Sequence, residues 1–258
     1  TSSLRLRRFW DFSPQGRAAA LRFGLLCLLN DIYGGEDHSV GIYLSALTET
    51  LNVFLREGTG VASAQGRSSI DLLDEASTCL FAAVSTSQYA RKQLWSEKKD
   101  GFAIREIESL CLKAASSRAR RHLAGACGRM YEDNDVWEGS SEQVPSLERW
   151  LALSRLDVVV DATAEKLSDI GSNHLVSSQI HGAAFLGAYA ARAFRLQAVR
   201  LLVEDTSTEN LWDKLASIFA ALGRGLLHVD EIIGNACADG LGIAFSYEGM
   251  DAPLLDSR

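Results

Sequence analysis

The sequence predicts an all-α fold, and three observations carry that expectation. Only 3 prolines fall in 258 residues, so long runs of chain keep the amide donors and clearance that a helix needs. Apolar residues recur at helical spacing in one segment after another. No alternating segment of useful length reads as a strand. The best, "DVVVDAT" at 157–163, lies inside a longer helical stripe.

In chain order, helices are expected over 17–30, 38–57, 68–86, 103–115, 117–131, 147–170, 173–194, 208–227 and 229–246. Segment 68–86 carries Leu72, Ala76, Cys79, Leu80 and Ala83 on one face. Segment 147–170 carries Leu156, Val160, Thr163, Leu167 and Ile170, with Ser146 after Pro145 as its N-cap. Segment 208–227 carries Leu211, Leu215, Ile218, Leu222 and Leu226. Thr206 and Glu209 before it fit a capping box, in which hydroxyl and carboxylate satisfy orphan backbone donors. Three loops interrupt the pattern: the Gly/Ser-rich 57–69, expected to be mobile, the short charged turn 96–101, and the acidic 132–145, also expected to be mobile. Helical phase resumes beyond each, so the whole of 1–258 reads as a single unit without a domain linker.

The predicted helices are of two kinds. Segments 38–57, 103–115, 147–170 and 208–227 are bulky, with Leu, Ile, Val, Phe and Trp. Segments 17–30, 68–86, 117–131, 173–194 and 229–246 are rich in Ala and Gly, as in "IHGAAFLGAYAAR" from Ile180 and "IIGNACADGLGIAF" from Ile232. Glycine inside a helix costs ~1 kcal/mol relative to alanine, and close packing on both sides would offset it. The two kinds alternate, which a compact four-helix bundle does not require. Stacked antiparallel helix pairs do require it, because the inner helix of each pair touches its neighbours. The period lies near the ~40–47 residues of armadillo and HEAT units. The expected architecture is therefore a HEAT-like α-solenoid of about four to five helix pairs.

Bulk properties narrow the function classes. A formal net charge of −7 gives no pull toward nucleic acid or anionic lipid. No uncharged apolar run reaches the ~20 residues of a membrane span. The 5 cysteines are odd in number, unpaired in spacing, and read as reduced thiols. The start, "TSSLRLRRFWDF", has neither an initiating Met nor a signal-peptide core. The chain is read as a soluble intracellular fragment of a longer protein.

A search for chemistry returns little. His38, His122, His174, His181 and His228 are scattered, without metal-ligand spacing. Cys27, Cys79, Cys111, Cys127 and Cys237 fall mostly on apolar faces, as small hydrophobes do. Among them Cys127 stands nearest to arginines that would lower its pKa. Asp157, Asp161 and Glu165 share a helix face but read as a solvated surface. "GTGVASAQG" lacks the strand and the Lys-Ser/Thr of a phosphate loop. No catalytic residue, metal ligand or cofactor site is expected.

Protein binding is the better-supported expectation. Arg118, Arg120 and Arg121 form a basic helix start directly ahead of the acidic loop, a segregation that suits a partner of complementary charge. Trp137 stands alone in that loop, and tryptophan is over-represented at binding hot spots. These four residues are the candidate protein-binding site.

Over 174–254 the segments "SQIHGAAFLGAYAARAF", "LASIFAALGRGLL" and "IIGNACADGLGIAFSYEGMDAPL" resemble, in order and spacing, the proteasome adaptor and scaffold family. Its members are very long HEAT-repeat proteins associated with the 26S proteasome. The shared features are His181-Gly182, the Leu186-Gly187 step, Arg192, and the small-residue helix running into Tyr247 and Asp251. Coverage is about a third of the chain, and residues 1–146 carry no recognisable family element. The resemblance implies a non-catalytic scaffold whose partners are proteasome core and regulatory-particle subunits, in cytoplasm and nucleus. It implies no cofactor, no nucleic acid and no inserted membrane segment. Two alternatives stand beside it. One is another helical-repeat adaptor, such as a transport or tubulin-handling factor. The other is an all-α enzyme with a site near His181 or Cys127.

Overall fold

A computed structural model describes residues 13–31, 37–57, 66–95, 103–132, 177–201 and 209–246. Among these residues there are nine α-helices and no strand: α1 (Pro14–Asp31), α2 (Asp37–Glu57), α3 (Gly66–Thr86), α4 (Gln88–Trp95), α5 (Ile104–Lys113), α6 (Ser117–Glu132), α7 (Ser177–Leu201), α8 (Glu209–Gly225) and α9 (Glu231–Phe245). The all-α expectation holds. The expected helix 147–170 with its Ser146 cap, and the loop residues 133–145, lie outside the described residues, as do Thr206 and the rest of the expected capping box before Glu209.

Several boundaries differ from expectation, among them the end of α7, which runs on to Leu201, and the end of α8, which stops at Gly225. Residues 66–69, assigned to the Gly/Ser-rich loop, are helical and open α3. Glu132, taken as the first loop residue, is the last of α6. The short helix α4 was not anticipated. Ser87 makes it possible by ending α3 and starting α4 at once. Its N–H donates to the Ala83 carbonyl at 2.9 Å, and its Oγ accepts from Ala90 N–H at 3.2 Å. That hydroxyl supplies the acceptor a helix N-terminus lacks. The Arg91 guanidinium turns back to the Val84 carbonyl at 2.6 Å and satisfies part of the end of α3.

The helices form two compact units, Thr1–Met130 and Tyr131–Arg258. In the first, α1 packs most extensively against α3, its neighbour but one in the chain, while α2 touches both. Helix α2 also packs on α5, and α4 on α2 and α3. Val40, Tyr43, Leu44, Leu47 and Leu51 form the buried stripe of α2, at the spacing an amphipathic helix requires. On α3 the anticipated Leu72, Ala76, Cys79, Leu80 and Ala83 are all buried. Gly24 lets α1 approach α2. A Cβ at that position would stand 3.0 Å from the ring of Tyr43, whose hydroxyl donates to the Leu21 carbonyl at 3.1 Å.

The second unit repeats the scheme. Helix α7 packs most extensively against α9, and α8 touches both. Every residue from Ile180 to Phe194 is buried. A helix enclosed on all faces needs apolar or small side chains around its whole circumference, and this one supplies Ala183, Ala184, Ala188, Ala190, Ala191 and Ala193. Its partner comes close at Gly240, where an added Cβ would meet the Ala184 carbonyl oxygen at 3.3 Å and Ala188 Cβ at 3.4 Å. Arg195 closes the far end of α9, its Nε and Nη2 donating to the carbonyls of Ala244 (3.2 Å) and Ser246 (2.6 Å). At the near end Asp230 caps α9, accepting from Ile232 N–H at 3.0 Å.

One charge is sealed inside this unit. The Arg192 side chain is 0% exposed and forms an ion pair at 3.3 Å with Glu132, whose side chain is 12% exposed. Four of the five small-residue segments pack in pairs among the described helices, α1 with α3 and α7 with α9. Leu215, Ile218 and Leu222 of the α8 stripe are buried as expected, but Leu226 is 45% exposed. It lies past the last helical residue, where the chain turns and the stripe loses its registry.

Candidate functional site

A polar seam runs along one side of α3 in the first unit. Asp74, Glu75 and Thr78 follow at helical spacing, and each meets a group from another part of the chain. Glu75 receives a bidentate pair from Arg22 of α1, Nε to Oε1 at 2.8 Å and Nη2 to Oε2 at 2.5 Å. Asp74 accepts from the hydroxyl of Ser116, just before α6. Thr78 Oγ1 lies 3.0 Å from His122 Nδ1 on α6, and the His122 ring stacks on Phe81 with centroids 6.1 Å apart. Thr78 also donates to the Asp74 carbonyl at 2.8 Å. A hydroxyl carries one proton, so the network makes the Nδ1 of His122 the donor to Thr78.

Beside this seam lies a cleft of about 350 Å³ lined by Gln15, Ala18, Ala19 and Arg22 of α1, Asp71, Asp74 and Glu75 of α3, and Arg118 of α6. It presents both signs of charge. Burial pushes the Asp74 carboxyl above the usual carboxylate range. The Ser116 hydroxyl, Arg118 and the Ala119 N–H pull the other way, and Asp71 adds to the rise. A carboxyl whose folded-state pKa is raised favours the fold most when protonated, and that contribution is lost as pH rises through the folded-state value. The variant Asp74→Asn removes the titration and keeps the oxygen acceptor. Its urea midpoint, relative to the unaltered chain, is expected to improve between pH ~4 and ~7. A relative loss over that window would mean that attraction to Arg118 outweighs burial.

Arg22 is 65% exposed although its partner Glu75 is only 15% exposed. Water already solvates much of the pair, so Arg22→Met is expected to cost at most ~1 kcal/mol in urea unfolding. The loss should shrink further in ~1 M salt.

The arginines expected to act together are divided by the structure. Arg118 is exposed and lines the cleft. Arg121 is part-buried. Arg120 is 5% exposed, and its Nη1 donates to the carbonyls of Ala114 (2.6 Å) and Ala115 (3.0 Å). Its guanidinium therefore closes the end of α5 and is not presented to solvent. Burial lowers its pKa, against the opposing influence of Cys111. Trp137 lies outside the described residues. Arg22, missed in the sequence, joins Arg118 in the cleft. Its pairing with Glu75, 53 residues away, has no local signal.

The two residues of the enzyme alternative are both buried. His181 is 6% exposed and meets Phe185 edge-on at 5.0 Å. Cys127 is fully buried. Burial pushes the thiols of Cys79 and Cys237 up to about 11 and that of Cys111 up to about 12, which keeps them protonated and poorly nucleophilic at neutral pH. Cys27 is exposed. His228 Nδ1 accepts from Asp230 N–H at 3.0 Å and serves the turn before α9. Among the described residues no group of three His, Cys, Asp or Glu could hold a metal ion, and no helix is long and apolar enough to cross a membrane. His174, Asp157, Asp161 and Glu165 lie outside the described residues.

Among the described residues, exposed large apolar side chains cluster on α1 and around the start of α9, and Phe245 at the end of α9 is 58% exposed. On α1, Phe23 is 70% and Leu26 53% exposed. In the turn from α8 to α9, Leu227 is 88% and Val229 97% exposed, next to Leu226, and Ile232 at the start of α9 is 59% exposed. That turn is held by backbone bonds from Leu227 N to Arg224 O (3.2 Å) and His228 N to Gly225 O (3.1 Å). Its aliphatic side chains are thus presented by a hydrogen-bonded frame. The chain matches no family model, and comparison with curated proteins and with solved structures likewise yields no match.

Proposed function

We propose that the chain is a non-catalytic helical-repeat scaffold, its helix pairs layered as in a HEAT-like α-solenoid, and that it docks on proteasome core and regulatory-particle subunits in cytoplasm and nucleus. The observation that carries the layered reading is the enclosure of α7 from Ile180 to Phe194, together with its packing on α9, its neighbour but one. Serial stacking of helix pairs produces both, because each inner helix meets the inner helix of the next pair. The same pairing of α1 with α3 supports it. The choice of partner rests on the resemblance over 174–254. Exposed Arg118 in the charged cleft supplies a polar contact surface, and Arg120 serves within the fold.

Affinity purification of the tagged chain from cells tests this directly. Proteasome core and regulatory subunits should co-purify, and their recovery should fall when Arg118→Glu is introduced while thermal stability is unchanged. Recovery of transport or tubulin-handling proteins without proteasome subunits would select the other adaptor class. Recovery of neither would overturn the proposal.

A further inference from the structure

No further inference is drawn: the strongest candidate, the exposed aliphatic patch of Leu226, Leu227 and Val229 in the turn joining α8 to α9 with Ile232 at the start of α9, is an unpartnered apolar surface, and nothing in the structure shows what covers it.

Discussion

Replacing Arg192 by methionine is expected to lower the free energy of unfolding by ~3–5 kcal/mol, the cost of breaking a buried ion pair from one side. The reason lies in what remains. Glu132 faces Arg192 at 3.3 Å and is itself only 12% exposed, so loss of the cation leaves a carboxylate with little access to water. A neutral methionine of similar length keeps most of the packing, which isolates the electrostatic part. The double variant Arg192→Met, Glu132→Leu removes both charges and should recover much of the loss, since a buried pair and an apolar pair of similar volume are often comparable. Urea unfolding of both single variants, Arg192→Met and Glu132→Leu, and of the double variant gives the coupling. If the single substitution costs less than ~1 kcal/mol, as at a solvated surface, water reaches the pair and it is not a fixed internal contact.

Valine at position 240 is expected to cost ~1–3 kcal/mol, the range for forcing extra carbons into a packed site. Even the first carbon would stand 3.3 Å from the Ala184 carbonyl oxygen and from Leu222 Cδ2. The oxygen belongs to the backbone of α7 and cannot rotate away. Gly242 is the internal control. Nothing lies within 4 Å of a Cβ built there, so Gly242→Ala should stabilise by up to ~1 kcal/mol through helix propensity alone. Opposite signs at two glycines two residues apart would show that contact with α7, and not propensity, keeps position 240 small. A stable Gly240→Val chain would show that α7 and α9 can separate without penalty.

Much of the fold could be read from the sequence because apolar spacing is a local property. The expected 117–131 is Ser117–Glu132, and the expected 38–57 is Asp37–Glu57. Helix α4 escaped because it is only eight residues long, and among its described side chains Ala90 and Leu94 alone are buried, too few for a stripe. Its signal was Ser87, a capping residue just beyond a helix that was already recognised. The Gly/Ser composition before α3 suggested a loop, yet it does not prevent Gly66 from starting a helical turn. Side-chain fates were less legible. Arg118 and Arg120 look alike in sequence, and only the corner between α5 and α6 decides that one meets water and the other two carbonyls. The Arg22–Glu75 and Ser116–Asp74 bonds join positions far apart in the chain, so no pattern of spacing announces them.

The enclosure of α7 has a consequence for how the chain can change over generations. A residue on a half-solvated helix answers to one neighbour and can grow or shrink toward water. Positions such as Ala184 and Ala188 have no such outlet, because a densely filled interior passes any change of volume to whatever lies alongside. Acceptable substitutions there must come in matched sets spread over several segments, which ties the composition of this rod to that of the helices around it.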